Sequence, residues 1–339
     1  MAIKRKVSGY VHLFICFIKR QGAATKWSCR SSEQTKKTSP KKKFLQCNSI
    51  MIVFLLFLPR TSFAEQEITK VTNDIFTITK GSVMDSNTSF IISDTGVLVI
   101  DTRPNPDEAL KVLREIRKIT SKPIKYVINT HFHGDHVFGN QIFAEASAII
   151  AHKNVRLFLE GKTGEEHLAQ FKNMGIPGLE DTRIIIPDIT YHRGLDIIFG
   201  KFNLQVRYLG KGHTDSDTII YIPEEKILIT GDLVFNGKIP FAGHAHISEW
   251  IKRVEDLEKF DANIIIPGHG DVGDKSMIQK MKQYLTELKN AVIEQVSKGK
   301  SLEETKEKVK KVMEKYKTWK NFDWLEGNIE KAFQEFSGQ

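Results

Sequence analysis

The chain has 339 residues, of which 40% are hydrophobic and 27% charged, and this balance excludes a disordered chain, a collagen and a polytopic membrane protein. The formal net charge of +9 is unevenly distributed, because residues 1–64 hold 13 of the 50 basic residues and one of the 41 acidic residues. Residues 65–339 therefore hold 37 bases and 40 acids, a net charge of −3. They contain no basic stripe, so we expect no nucleic-acid partner.

The first 64 residues are typical of a targeting segment. Three lysines at 41–43 precede an apolar run at 50–58, and Ser-Phe-Ala follows at 62–64. This order predicts a secretory signal, since the apolar run is shorter than the about 20 residues of a membrane-spanning helix. We expect cleavage near Ala64, export to the periplasm or the outside, and no stable membrane insertion afterwards. An uncleaved anchor is the alternative, and residues 1–39 are interpreted as an unstructured extension whose translation is open.

All three cysteines, Cys16, Cys29 and Cys47, lie in this segment. Residues 65–339 can therefore hold no disulfide, thiolate metal site or catalytic cysteine, and a metal there needs His, Asp and Glu ligands. Their 275 residues suffice for one sizeable core. We assign 1–64 to the extension and signal, 65–275 to a catalytic domain, and 276–339 to carboxy-terminal helices packed on that domain.

Strand and helix patterns alternate along the mature chain. After short β-rich runs, Asn105-Pro106-Asp107-Glu108 predicts a helix start with an Asn cap and acids in the first turn. Ser301 and Glu304 predict a capping box in the last region. The apolar strands are expected at 75–79, 89–92, 97–100, 126–128, 148–151, 196–199, 203–208, 218–222, 227–230 and 264–266. Two successive halves of this kind indicate an α/β (α+β) protein with helices on the outer faces of its sheets.

The densest group of reactive side chains follows the strand at 126–128. The run Asn-Thr-His-Phe-His-Gly-Asp-His at 129–136 contains three histidines and an aspartate. In an extended segment His131 and His133 point the same way and can hold one ion. Asp135 and His136, beyond the Gly134 bend, can face a second ion.

Three further potential ligands follow apolar strands, each in a turn that contains glycine. They are His213 in Gly-His-Thr-Asp-Ser-Asp, Asp232 in Thr-Gly-Asp and His269 in Pro-Gly-His. Loops supported by rigid strands are where α/β proteins build their sites. Imidazole and carboxylate ligands suit zinc, so the sequence predicts a metal site.

These four ordered motifs resemble the metallo-β-lactamase superfamily of zinc hydrolases, over roughly residues 68–290. The resemblance implies a four-layer αββα sandwich with a dinuclear site at the sheet edge and two Zn²⁺ ions per chain. One zinc would take His131, His133 and His213, the other Asp135, His136 and His269, and Asp232 would bridge them. Asp101 and Thr130 would orient ligands from behind, although Asp101 could equally be a simple helix-entry turn. A metal-bridging hydroxide, oriented by Asp135 and Asp232 as catalytic residues, would attack the substrate carbonyl.

Departures from the family pattern bear on the substrate. Asp232 stands where the commonest exported β-lactamases have a cysteine, as in glyoxalase II and lactonase types. Phe235 stands where those β-lactamases place a lysine for the drug carboxylate, and Lys238 is the nearest base. The stretches 212–217 and 235–240 look more like exported β-lactamase-like and quinoprotein-associated hydrolases than like glyoxalase II.

Four other residues are candidates for substrate contact, namely Asn236, Lys238, His244 and His246. The pair His244-Ala-His246 mimics a metal motif but has no acid at ligand spacing, so we place it at the surface or substrate mouth. We expect His167 to be an ordinary histidine. Trp324 is expected to pack the terminal helices and not to form a binding platform.

The sequence thus predicts a zinc-dependent hydrolase that opens a cyclic amide or ester of a small molecule. Hydrolysis of a thioester or lactone is the alternative, and an iron-dependent oxidoreductase similar to persulfide dioxygenases is less favoured. Flavodiiron proteins are disfavoured because they have glutamate where this chain has His133. A non-catalytic interaction protein is the third class, and the seven filled ligand positions count against it. The native metal, the oligomeric state and the true substrate stay open.

Overall fold

The computed structural model describes residues 67–81, 84, 86–146 and 148–338. The targeting segment predicted at 1–64, with its three cysteines, lies outside the described residues, so export and cleavage near Ala64 stay predictions. Within the described part of the chain, no helix is both long enough and apolar enough to span a bilayer.

Seven strands form the first sheet in the order of the chain. The four strands of its first half are antiparallel, whereas β4 to β7 run parallel. Parallel neighbours need crossover connections, and helices supply them here. The strands are β1 (Ile68–Lys70), β2 (Ile75–Ile78), β3 (Thr88–Ile92), β4 (Val97–Ile100), β5 (Ile124–Asn129), β6 (Ala148–His152) and β7 (Ile189–Tyr191), and the crossover helices are α1 (Pro106–Ile119), α2 (Gly134–Val137), α3 (Lys153–Leu159) and α4 (Lys162–Asn173).

The start of α1 confirms the helix cap that the sequence predicts. The side chain of Asn105 accepts a hydrogen bond from the backbone N–H of Glu108 at 2.8 Å, and Pro106 occupies the first turn. Arg117 and Lys118 lie in the last turn, where their charge suits the helix dipole.

Five strands form the second sheet in the order β12-β11-β10-β9-β8. All neighbours are antiparallel except β11 and β12, which are parallel and are joined through a helix. The elements are β8 (Gly194–Phe199), β9 (Phe202–Tyr208), β10 (Thr218–Ile222), β11 (Ile227–Phe235), α5 (Ile247–Leu257), β12 (Ile264–His269), α6 (Ser276–Ser297), α7 (Leu302–Met313) and α8 (Leu325–Ser337). The capping box predicted at Ser301 and Glu304 is present at the start of α7.

The two sheets face each other across an apolar core, and helices cover their outer faces. On β4, Leu98 and Ile100 point into the core between the sheets, whereas Val97 and Val99 pack against α1. Leu228 of β11 packs outward in one cluster with α5 to α8. The carboxy-terminal helices therefore share a core with the second sheet. This four-layer arrangement confirms the predicted αββα sandwich.

Candidate metal centre

The predicted ligands near the first sheet lie directly after β5. His131 and His133 are in the turn that follows this strand, and Asp135 and His136 begin α2. Gly134 allows this tight entry, because a Cβ there would come within 2.2 Å of the Phe138 ring. The turn therefore presents four potential ligand side chains from six consecutive residues.

Asp232 lies on β11, at a point where the strand pairing is irregular. The register between β11 and β12 shifts on both sides of Gly231, whose φ is 51°, a left-handed value that favours glycine. A Cβ on Gly231 would come within 2.8 Å of the Thr130 side chain. The irregularity thus lets the two sheets approach closely beside Asp232. His269 ends β12, and His213 lies in the turn before β10.

The fold brings all seven predicted ligand residues together in two buried groups. The potential ligand atoms of each group lie within 4.8 Å of one another; the first group is His131, His133, His213 and Asp232, and the second is Asp135, His136 and His269. Asp232 also contacts the second group, since its Oδ1 is 3.2 Å from His136 Nε2 and its Oδ2 is 3.3 Å from His269 Nε2. Asp232 is therefore positioned between the two groups.

The donor atoms of the first group converge as a cation would require. His133 Nδ1 lies 3.0 Å from His213 Nε2, which is itself 3.3 Å from Asp232 Oδ2. His131 Nε2 is buried and has no hydrogen-bond partner among the described residues. Leaving such a nitrogen unsatisfied costs about 1–3 kcal/mol, which coordination of a metal would offset. The residues present therefore fit a divalent metal ion.

Protonation in the first group, His131, His133 and His213, also suits metal ligation. Burial lowers the pKa of His131 and His133 well below the ordinary value and that of His213 to about 4. Neutral imidazole is the form that binds metals. Burial acts in the same direction on His136, but nearby carboxylates, Asp232 foremost, outweigh it and raise the pKa of this histidine.

Asp101 and Thr130 lie behind the ligands, where the sequence analysis expects them. Asp101 Oδ2 is 2.8 Å from His136 Nδ1 and accepts a 2.7 Å hydrogen bond from the Thr130 hydroxyl, while Oδ1 accepts from the Thr130 N–H. A carboxylate beside Nδ1 keeps the proton on that atom and leaves Nε2 for the centre. Thr130 Oγ1 is also 3.1 Å from His131 Nδ1.

His244 contacts a predicted ligand directly, because its Nδ1 lies 2.9 Å from His133 Nε2. This contact leaves the other ring nitrogen of His133, Nδ1, facing the centre. His246 is half-buried outside the cavity described below, and its backbone N–H donates to the Gly212 carbonyl. The two histidines of the His-Ala-His motif therefore have different surroundings.

A polar pair from the first sheet holds the two ligand loops together. Ser86 donates a 2.7 Å hydrogen bond to the Asp135 carbonyl, and Asn87 donates 2.8 Å bonds to the carbonyls of Pro267 and Gly270. Sequence reasoning did not predict these contacts, because Ser and Asn before a strand give no indication of partners that lie up to 183 positions away.

A cavity of about 400 Å³ opens onto the centre. Asp135, Asp232, His133 and His269 form its floor, and His167 and His244 lie beside them. Among the described residues the remaining lining is largely apolar, with Met84, Phe171, Met174, Phe235, Phe241 and Trp324. The Phe235 ring stacks on His269 with 4.8 Å between centroids and 4° between planes.

The structure changes the expectations for two residues that line this cavity, Trp324 and His167. Trp324 packs the terminal helices as expected but also lines the cavity, because α8 begins beside the cavity wall. His167 is not an ordinary surface histidine; its Nε2 accepts a 3.1 Å hydrogen bond from the Gly134 N–H and so supports the ligand turn.

Asn236 and Lys238 lie outside the described lining of the cavity. The Asn236 side chain donates a hydrogen bond to the Asp271 carbonyl at 2.9 Å. Lys238 is buried, and its backbone forms an isolated parallel β-bridge with that of Lys320. Contact between these two residues and a substrate stays a prediction.

Comparisons with known proteins agree with this geometry. Residues 81–269 match the sequence model of the family described as the metallo-beta-lactamase superfamily. The chain is 24% identical over 233 residues to a metallo-beta-lactamase type 2 of Elizabethkingia meningoseptica, covering 66% of this chain and 86% of the relative. It is 23% identical over 256 residues to a linear primary-alkylsulfatase of Pseudomonas sp. (strain ATCC 19151), covering 63% of this chain and 48% of that protein.

Among solved structures, a metallo-beta-lactamase from Pontibacter korlensis superimposes with a TM-score of 0.55 at 21% identity, covering 65% of this chain and 99% of the other. That likeness shows the fold. The family match over more than half of the chain shows membership, so this chain belongs to the metallo-beta-lactamase superfamily. It is a metal-dependent hydrolase.

Proposed function

We propose that the two ligand groups bind two Zn²⁺ ions and that the protein hydrolyses a small carboxylic ester, lactone, thioester or cyclic amide. The observation that carries this proposal is the set of seven buried His and Asp ligands on the floor of an open cavity. Zinc bound there would lower the pKa of a water molecule and polarise a carbonyl group. Iron accepts similar ligands, so metal analysis of the purified protein belongs to the test.

The side chains of the centre have separate tasks in this proposal. The histidines of the first group would hold one ion, and Asp232, placed between the groups, would set the spacing of the pair. Asp135 lines the cavity and would orient the attacking water. The aromatic walls would exclude bulk water, which strengthens each electrostatic interaction inside.

The cavity favours esters, lactones and thioesters over β-lactams. A β-lactam carboxylate needs a positively charged partner, and no Lys or Arg is present among the described residues that line the cavity. Phe235, stacked on His269, occupies the position where, by the resemblance, the commonest exported β-lactamases have a lysine. Sulfate-ester hydrolysis is a second candidate, since an alkylsulfatase is among the relatives and an apolar cavity suits an alkyl chain.

We further propose that the protein acts outside the cytoplasm after cleavage near Ala64 and takes a small-molecule substrate. The basic, apolar and small-residue order of residues 41–64 supports export. Amino-terminal sequencing of the protein recovered from culture fractions tests the cleavage site and the location together.

The activity is tested with protein purified from the full-length gene and analysed for metal content. Its rates with phenyl acetate, a γ-lactone, an acyl thioester, nitrocefin and octyl sulfate would be measured with and without chelator. We expect about two zinc ions per chain and chelator-sensitive hydrolysis of the first three substrates, restored by zinc. Zinc-loaded protein that hydrolyses none of the five substrates would contradict the proposal.

A variant pair tests the role of the centre. Asp135→Asn should lower kcat by at least about 100-fold while the protein remains folded, because Asp135 lies on the cavity floor within the second group. Asp181→Asn, an equal change at an exposed carboxylate, is the matched control. A near-normal rate for Asp135→Asn would show that the centre does not perform the reaction.

A further inference from the structure

One wall of the cavity comes from a part of the chain outside the family match, which ends at residue 269. Trp324 and Gly327, at the start of α8, line the cavity. The Trp324 ring meets that of Phe241 edge to face, with 6.1 Å between centroids, and Phe241 is 43% exposed. Trp324 and Gly327 therefore form this wall together with Phe241, which lies within the matched residues.

The cavity is polar at its floor and largely apolar beyond it, where Gln170 and Asn328 are the polar side chains of the described lining. Metal-ligating and neighbouring histidines and aspartates surround the floor, whereas Met84, Phe171 and Met174 continue the apolar lining. Burial, and after it the charge of Lys331, lowers the pKa of His244, but Lys331 lies outside the described lining. A negatively charged group carried deep into such a cavity would lose its hydration without meeting a Lys or Arg of the described lining, whereas a hydrocarbon chain would be stabilised there.

Gly327 leaves space in the wall. A Cβ placed on Gly327 would meet no atom within 4 Å, and the residue lies in regular helix without a positive φ. A methyl group can therefore be introduced at this position without a steric clash. Because Gly327 lines the cavity, we expect a larger side chain placed there to occupy part of its volume.

Resting on the proposed function, we infer that the substrate is a neutral ester, thioester or lactone with an apolar acyl chain, and that Phe241, Trp324 and Gly327 determine the length accepted. In the reaction, water oxygen bonds to the acyl carbon and the carbon–oxygen or carbon–sulfur bond to the leaving group breaks. One proton of the water passes to the leaving oxygen or sulfur and the other is released to solvent. The products are a carboxylate and an alcohol or thiol, which after opening of a lactone belong to the same molecule.

The inference is tested with p-nitrophenyl acetate, butyrate, hexanoate and octanoate and the zinc-loaded full chain. Burial of each methylene should raise kcat/KM by up to about fourfold. The p-nitrophenyl half-ester of octanedioic acid has the same chain length as the octanoate but ends in a carboxylate. We expect its kcat/KM to be at least tenfold lower than that of the octanoate. Equal values would overturn the requirement for a neutral chain and would indicate a cation such as Lys331 at the far end.

Two variants test the wall itself. Gly327→Phe should reduce the octanoate-to-acetate ratio of kcat/KM at least tenfold, because the new ring fills the distal space. Gly327→Ala changes the same helical position by one methyl group and should reduce the ratio less than twofold. Circular dichroism and metal content check that both variants are folded and loaded.

The outcomes separate this inference from the proposed function. Failure to hydrolyse any of the five substrates would overturn both, whereas hydrolysis of nitrocefin alone would overturn this inference and leave the proposed function standing. Ester hydrolysis with a flat chain-length profile would overturn the apolar-chain inference and leave the hydrolase intact. A rising profile that Gly327→Phe does not alter would overturn the assignment of this wall.

Discussion

Asp101 and His136 are joined by a 2.8 Å contact between carboxylate Oδ2 and ring Nδ1, and Asp101 makes it from a left-handed backbone conformation with φ of 60°. Both residues are fully or almost fully buried. Non-glycine residues adopt this conformation only where the surroundings enforce it, and such strain is typical of functional sites. The orientation of His136 is therefore fixed from behind by a residue that the fold holds in an unfavourable conformation.

Removal of that carboxylate should weaken metal binding. We expect Asp101→Ala to lower zinc affinity about 10- to 100-fold, because His136 loses the partner that fixes its ring. Asparagine tolerates the same φ and keeps one hydrogen-bond acceptor, so the zinc affinity of Asp101→Asn should lie between that of the wild type and that of Asp101→Ala. Competition with a chromophoric chelator measures both. Wild-type affinity in Asp101→Ala would rule out the orienting role.

His244 should support the other group. Its Nδ1 lies 2.9 Å from His133 Nε2, so His244→Ala removes the contact that orients His133. We expect about a tenfold or greater loss of zinc affinity at one of the two sites. His246→Ala, two positions along the chain, is the matched control, and its zinc affinity should stay within about twofold of that of the wild type. An equal effect of both changes would indicate a general disturbance of the loop before α5.

Gly268 has a steric role in the Pro-Gly-His motif. A Cβ at this position would lie 1.9 Å from Asp232 Oδ1 and 2.7 Å from the Gly231 carbonyl carbon. Gly268→Ala should therefore displace Asp232 and reduce bound zinc below two per chain, with at least about a 100-fold loss of kcat.

The control for this change is Gly273→Ala, where a Cβ would meet only the flexible Met277 side chain, at 3.3 Å. Mass spectrometry of the native protein gives the metal count of both variants. Two bound zinc ions and normal turnover in Gly268→Ala would show that Asp232 can move without consequence.

The capping box at α7 makes a prediction about stability alone. The Ser301 hydroxyl accepts from the Glu304 N–H, and the Glu304 carboxylate accepts from the Ser301 N–H at 2.9 Å. Ser301→Ala should lower the free energy of unfolding by about 1 kcal/mol and the Tm by about 2–4 °C. Ser297→Ala, at an exposed serine, should change it by less than about 0.5 kcal/mol. Calorimetry of both variants decides whether the cap contributes.

Local signals predicted sheets with helices on their outer faces and the seven residues of the centre, and the resemblance to the family added the four-layer sandwich. Potential ligands such as His131 and Asp232 come at or directly after the ends of the predicted apolar strands. The same short stretches of sequence therefore indicate both the strands of the sheets and the residues of the centre. The Asn105 cap was equally local, since its partner is three residues away. For such features, residue type and spacing carry most of the structural information.

The cavity could not be predicted in the same way. Trp324 has the same sequence signal whether it packs between helices or lines a cavity, and its neighbour Phe241 is 83 positions away in the chain. His244 gave the pattern of a loop histidine, and only the tertiary structure places it against His133. Specificity therefore depends on distances that no local pattern encodes.

The hydrogen bonds made by the Asn87 side chain, here called the Asn87 clasp, have a consequence for the order of folding. Its side chain is bonded to the carbonyls of Pro267 and Gly270, which are 180 and 183 positions later. Contacts of such sequence separation carry a large loop-closure entropy and form late in folding. A nascent chain that ends before His269 lacks both this clasp and one ligand of the second group. Full metal uptake is therefore delayed until nearly the whole sandwich has been synthesised and closed.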